Sequence, residues 1–214
     1  MSLAVIQILL ALGLLAATQG PALAQQSVGA ITELQGSARL SRGKQEFEVA
    51  LKMAVIARDR IQTMSKSHLT VTLDGGSQLM LAESSTMVVD DVVASARSNS
   101  SISLKLGHLR AVVYPTLGAT PNFEVHTPNA VVGVRGTEFE TAYIEGKPCP
   151  GFPTCLRYTE VGVYKGVVEV RNPANPKAPP VRVTQGYETT VPCEMAPSAA
   201  APLGMSELSA PGYR

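Results

Sequence analysis

Short segments in which apolar and polar residues alternate recur along this chain between Gly, Asn, Asp and Pro punctuation. They cover residues 31–34, 69–73, 78–81, 102–106, 109–113, 138–144, 160–164 and 167–171. A period of two belongs to a pleated strand with one face buried. Many such strands, closely spaced, fit a sandwich, a barrel or a β-solenoid. The chain is rich in valine and threonine, is only 5% aromatic and has no tryptophan. That composition favours thin aliphatic layers over an aromatic-lined pocket. An all-β protein is therefore expected.

The densest pattern is FEVHTPNAVVGVRGTEF, residues 123–139. Phe123, Val125 and Thr127 fall on one face of an extended segment, with Glu124 and His126 on the other. Pro128 and Asn129 turn the chain. Val132, Val134 and the aliphatic part of Arg135 form a second strand, and Gly136 permits a geometry or close approach that a Cβ would block. Asp74-Gly75 and Tyr164-Lys165-Gly166-Val167 read as tight hairpins. Segment 49–58 (VALKMAVIAR) is ambiguous, because Ala, Leu, Lys and Met favour helix; strand and turn is the expectation there. Residues 171–180 hold too many prolines for a central strand and are expected to form a loop.

The string Val134-Arg135-Gly136-Thr137-Glu138-Phe139, with Thr127-Pro128-Asn129-Ala130 and Leu104-x-x-Gly107-x-Leu109 before it, resembles the signature of FecR-type domains, which are bacterial extracytoplasmic modules. Other segments agree in order. Residues 31–40 (ITELQGSARL) are similar to that family's opening Gly-centred hairpin, Asp59-Arg60-Ile61-Gln62-Thr63 to its Asp-x-Ile-x-Thr step, and Leu73-Asp74-Gly75-Gly76-Ser77 to its Asp-Gly-Ser turn. Residues 159–170 and 183–188 are similar to its last strands. The resemblance spans about residues 28–191. It implies an irregular β-solenoid, a coiled β-roll of short strands in one domain, with no enzymatic activity and no cofactor. It also implies a protein-binding or sensory and regulatory role.

The amino end carries an apolar run at residues 8–17, a Gly20-Pro21 break and Ala22-Leu23-Ala24. These are the features of a signal peptide, so residues 1–24 are expected to be removed and the protein to be periplasmic or secreted. The run is short of the roughly 20 residues of a comfortable span, and no other segment reads as one. About 190 residues then remain, enough for a single domain. The FecR-like unit is expected over residues 25–193. Residues 194–214, rich in Ala, Pro and Ser, are expected to be an unstructured tail. In family regulators a cytoplasmic segment touches a sigma factor and a membrane helix follows. Here the signal leads almost directly into the domain, so the expectation is a stand-alone envelope module bound to another protein, with cell-wall glycan as the alternative ligand. A net charge of +1 with interspersed signs gives no field suited to nucleic acid.

The expected partner-binding residues are Arg135, Thr137 and Glu138. A guanidinium recognises carboxylates in bidentate fashion, although at a coil corner Arg135 is rather expected to satisfy buried backbone carbonyls. Catalytic residues are not expected. Glu138 and Glu140 share a strand face and read as a solvated edge, and no serine sits in a nucleophile elbow. Cys149 and Cys155 can close a short exposed excursion as a disulfide in an oxidising compartment; Cys193 can instead pair with either of them, stay free or join another molecule. The histidines His68, His108 and His126 are too scattered to complete a metal site with the cysteines. A linear array of Tyr143, Tyr158 and Tyr164 on one surface would favour glycan binding, and burial of those rings would count against it.

Overall fold

The structure, a computed structural model, describes residues 26–91, 100–114 and 123–204. The regular elements among them are strands: β1 (Ser27–Gln35), β2 (Ala38–Arg42), β3 (Gln45–Glu48), β4 (Ala54–Ile56), β5 (Arg60–Thr63), β6 (His68–Leu73), β7 (Gln78–Leu81), β8 (Thr86–Asp91), β9 (Ser100–Val112), β10 (Phe123–His126), β11 (Val131–Val134), β12 (Glu138–Glu145), β13 (Arg157–Lys165), β14 (Val167–Arg171), β15 (Val181–Thr184), β16 (Tyr187–Pro192) and β17 (Ala201–Pro202). The all-β expectation holds. No helix among the described residues is long and apolar enough to cross a membrane. The expected signal peptide lies outside the described residues.

The strands form two ladders. Sheet A runs β4-β1-β6-β7-β9-β12-β13-β16-β17. Sheet B runs β3-β2-β5-β8-β9-β10-β11-β14-β15. Because β9 belongs to both, the strands make one hydrogen-bonded network. The inward side chains of both ladders, among them Ile31, Leu79, Leu109 and Phe139 from sheet A and Leu40, Ile61, Leu104 and Val132 from sheet B, form one apolar cluster. Each fully buried aliphatic or phenyl side chain there contributes about 1.5–3 kcal/mol.

The passage of β9 from one sheet to the other is written in its parity. Ile102 and Leu104 point inward in sheet B, whereas Leu109 and Ala111 point inward in sheet A, and Leu106 between them is exposed. The parity changes at Gly107, whose φ is +87°. A Cβ on Gly107 would lie 2.1 Å from Ser85 Oγ. That hydroxyl accepts the His108 N–H at 3.0 Å, so the serine takes up the space and a donor freed by the bend.

Two expected hairpins are instead corners between sheets. The Gly-centred turn in residues 31–40 joins β1 in sheet A to β2 in sheet B, and Lys165-Gly166 joins β13 in sheet A to β14 in sheet B. A tight glycine turn reverses the chain in either case, and only long-range pairing decides whether the flanking strands bond to each other. The Asp74-Gly75 turn and the Thr127-Pro128-Asn129 corner do close hairpins, β6–β7 and β10–β11. Segment 49–58 is strand and turn as expected, with β4 between two turns. Its backbone answers to β1: Ile31 N–H donates to Met53 O and Lys52 N–H to Ile31 O. Tertiary pairing there overrides helix propensity.

The expected free tail is structured through residue 204. β17 pairs with β16, Ser198 N–H donates to Thr190 O at 2.8 Å, and Thr189 Oγ1 donates to Ser198 O at 2.7 Å. Composition alone did not reveal these backbone partners. Residues 205–214 lie outside the described residues. The proline-rich loop between β14 and β15 is as expected.

Candidate functional site

The turns that follow β11, β13 and β15 lie side by side. Gly166 backs onto the β11–β12 turn so closely that a Cβ there would lie 2.6 Å from Thr137 Cγ2 and 3.1 Å from Gly136 O. Gln185 N–H donates to Gly166 O at 3.0 Å, and Leu203 N–H to Gly186 O at 2.9 Å. On the other flank, Val113 N–H donates to Thr137 O at 2.9 Å, and Tyr114 N–H donates to Ser77 Oγ at 3.2 Å. The result is a row of turns bearing the exposed side chains Tyr114, Arg135, Lys165 and Tyr187.

Of the three expected partner-binding residues, only Arg135 stands free. Its side chain is exposed and makes no hydrogen bond or ion pair among the described residues. The expectation that it would satisfy buried carbonyls is therefore corrected: backbone partners from neighbouring strands and turns fill that role. Thr137 is 2% exposed, and its Oγ1 is buried without a hydrogen-bond partner. It packs the corner and offers nothing to a ligand. Glu138 is half-buried and ion-paired to Arg110.

Glu138 and Glu140 are not on a sheet edge, since β12 lies between β9 and β13. With their neighbours they build a connected polar patch. The Arg110 guanidinium lies 4.4 Å over the Tyr164 ring, a cation–π arrangement. Tyr164 Oη donates to Glu140 Oε2 at 2.9 Å, and His108 Nδ1 lies 3.7 Å from Glu140 Oε1. Burial, reinforced by Glu140, pushes the Tyr164 phenol up to about 12. The tyrosine is thus held as a neutral donor.

The tyrosine array that would favour glycan binding does not form. Tyr143 and Tyr158 are 3% and 1% exposed, and Tyr164 is covered by Arg110. No linear ring platform is formed by these three, which counts against glycan binding.

The other motif residues, Asp59, Thr63 and Asn129, are structural. Asp59 is fully buried and takes two hydrogen bonds from Arg42, Nε to Oδ1 at 2.8 Å and Nη2 to Oδ2 at 2.7 Å, plus one from Ile56 N–H at 2.9 Å. Thr63 Oγ1 donates to Ala82 O and accepts Ser85 N–H at 3.0 Å. Asn129, at the Thr-Pro-Asn corner, is 4% exposed. It donates to Val191 O at 2.7 Å and accepts from Thr159 Oγ1 at 2.6 Å.

The disulfide joins Cys155 to Cys193, with Cα atoms 5.9 Å apart, and Cys149 is a buried free thiol. This corrects the expected Cys149–Cys155 bridge. The excursion itself, residues 150–154, is exposed as expected, and the two cysteines at its base turn inward. They pack on sheet A, where Cys149, Cys155 and Tyr158 form a small cluster with Ala142 and Ile144, with Cys193 against it. Burial, followed by the Glu160 carboxylate, pushes the Cys149 thiol up. A sequence separation of 38 residues hides such a pairing from any local spacing rule.

Among the described residues, no three of His, Cys, Asp and Glu are grouped so as to hold a metal ion. His68 lies on β6, His108 on β9 and His126 on β10.

The family model described as FecR protein matches residues 59–169, from the buried aspartate of the Arg42 pair to the strand after the Gly166 corner. The chain belongs to the FecR protein family. Two crystal structures of a proposed anti-sigma factor from Parabacteroides distasonis, at 1.65 and 2.50 Å resolution, share the fold of this FecR protein with a TM-score of 0.52 and 22% sequence identity. Each alignment covers 67% of this chain and 59% of the other, so the FecR protein described here spans about three fifths of that relative's length. No curated protein matches it.

Proposed function

We propose that this FecR protein is a non-enzymatic sensory or regulatory module that acts outside the cytoplasm, after removal of residues 1–24, by binding another protein of the bacterial envelope. The observation that carries this reading is the row of turns bearing Tyr114, Arg135, Lys165 and Tyr187. The side chains of Arg135 and Lys165 are exposed and have no hydrogen-bond or ion-pair partner among the described residues. Arginine and tyrosine are the side chains most enriched at the energetic centres of protein interfaces. A partner presenting carboxylates would find the guanidinium without an intramolecular competitor. Family membership supports a regulatory role, and the fold shared with a proposed anti-sigma factor agrees with it. The same reading takes residues 25–193 as one unit, an irregular solenoid-like coil in which the chain passes repeatedly between the two sheets at glycine corners.

The test is capture from envelope extract by residues 25–214, compared with the Arg135→Ala/Lys165→Ala double variant. Both substitutions are on the surface, so circular dichroism and thermal unfolding are expected to be unchanged. A defined protein retained by the parent and lost by the variant supports the reading. Equal recovery by both removes the turn row from it, and recovery of glycan alone shifts the assignment to an envelope scaffold.

A further inference from the structure

Cys155 has two cysteines within bridging reach. Its bonded partner is Cys193. The other, Cys149, faces it across the neck of the excursion: Cys149 N–H donates to Cys155 O at 2.8 Å, and Gly146 N–H to Leu156 O at 2.8 Å. A direct N–H···O=C bond between two residues keeps their Cα atoms within about 6.5 Å of each other, inside the range of about 4.4–6.8 Å that a disulfide spans. Cys149 is 2% exposed, and all three sulfur-bearing residues meet in one small apolar cluster.

We propose that these three cysteines form a two-state thiol–disulfide exchange unit, in which the free thiol moves between buried Cys149 and half-buried Cys193. In the step that leaves the state seen here, Cys149 gives its proton to solvent and the thiolate attacks Cys155 Sγ. The Cys149–Cys155 bond forms as the Cys155–Cys193 bond breaks, and the electron pair leaves on Cys193, which takes up a proton. One disulfide and one thiol exist before and after, so no oxidant or reductant enters.

The two states differ in what they present. Cys193 heads the segment that runs to β17, and its carbonyl accepts from Asn129 Nδ2 at 3.2 Å and Asn172 Nδ2 at 2.9 Å. Exchange would leave that segment held without a covalent tie, by its hydrogen bonds and the Arg157–Glu194 ion pair, with a more accessible thiol at its start. Thiols react with other molecules according to their exposure and thiolate content, so the exchanged form is the one suited to a mixed disulfide with a partner. Burial beside Glu160 disfavours the Cys149 thiolate, which keeps exchange slow and the state seen here long-lived.

The test uses the full oxidised chain incubated natively with iodoacetamide, then denatured, fully alkylated with a second, isotopically distinct reagent and digested with trypsin without reduction. Cys149 and Cys155 share the tryptic peptide 136–157, because Lys147 precedes a proline, whereas Cys193 lies in peptide 183–214. Exchange converts the cross-linked peptides into two separate ones. The expected result is native label accumulating on Cys193, with an internal disulfide in peptide 136–157, and no such label in Cys149→Ser. Label on Cys149 alone, or a cross-link that persists with no native label, overturns the proposal. A second variant is independent of the time course: oxidised Cys193→Ser is expected to contain the Cys149–Cys155 disulfide, and a folded Cys193→Ser protein with two free thiols overturns it as well.

Discussion

Asn129 donates its side-chain amide to the backbone carbonyl of Val191 at 2.7 Å, 62 residues further along the chain. The bond ties the corner between β10 and β11 to the strand next to the end of sheet A. The same amide reaches Cys193 O, and its oxygen accepts from Thr159. All of this is buried or nearly so, where each unmet polar group is costly. Asn129→Ala is therefore expected to lower stability by about 2–3 kcal/mol. Urea unfolding checks it, with a lower midpoint and an unchanged slope.

Asp59→Asn keeps the shape of the buried side chain but removes the charge that Arg42 bonds in two places. Breaking a buried pair leaves the remaining charge uncompensated, here partly relieved because Arg42 reaches solvent. A loss of about 2–3 kcal/mol is expected. Adding Arg42→Met to Asp59→Asn should cost less than the sum of the two single changes, as a double-mutant cycle would show.

Gly166→Ala places a methyl group against Thr137 and holds an alanine at φ +89°. Overlap and backbone strain together predict about 1–3 kcal/mol of destabilisation. Thr137→Ser removes the methyl that the new Cβ meets and should return part of that loss, while the backbone strain remains. Thermal unfolding of the two single variants and the double variant separates the terms.

The Tyr164 phenol, held at about 12 by burial and Glu140, titrates above the ordinary tyrosine value of about 10. A raised folded-state pKa contributes stability that is present below the unfolded value and lost as pH rises through the folded one. Stability is therefore expected to fall between about pH 10 and 12. In Glu140→Gln the phenol should titrate lower, because the carboxylate's repulsion of phenolate is gone. Tyrosinate absorbance against pH, alongside the unfolding midpoint, checks both.

The fold class was legible because period two survives in short segments, and even the crossing of β9 is visible as a change of parity between Leu104 and Leu109. The pairing of those segments was not legible. Lys165-Gly166 looks the same whether it closes a hairpin or turns a corner, since the turn specifies reversal and distant strands specify the partner. Arg135 was identifiable as a candidate from its string, but its exposure depended on whether neighbouring turns supplied backbone bonds in its place. Thr137 and Glu138 were drawn into the same site by adjacency, although alternation sends one into the corner and the other to Arg110. The polar patch of His108, Arg110, Glu140 and Tyr164 was missed because its members come from three strands; the alternation of β9 and β12 was the one local sign that they share a face.

The most direct test of the proposed interaction surface places a photo-crosslinking residue at position 135 in the full chain, with position 44 in the exposed β2–β3 turn as the control, and irradiates cells producing each form. The account predicts a discrete protein adduct from position 135 that is absent from position 44 and reduced by Lys165→Ala. No adduct at 135, or the same adduct from both positions, would contradict it.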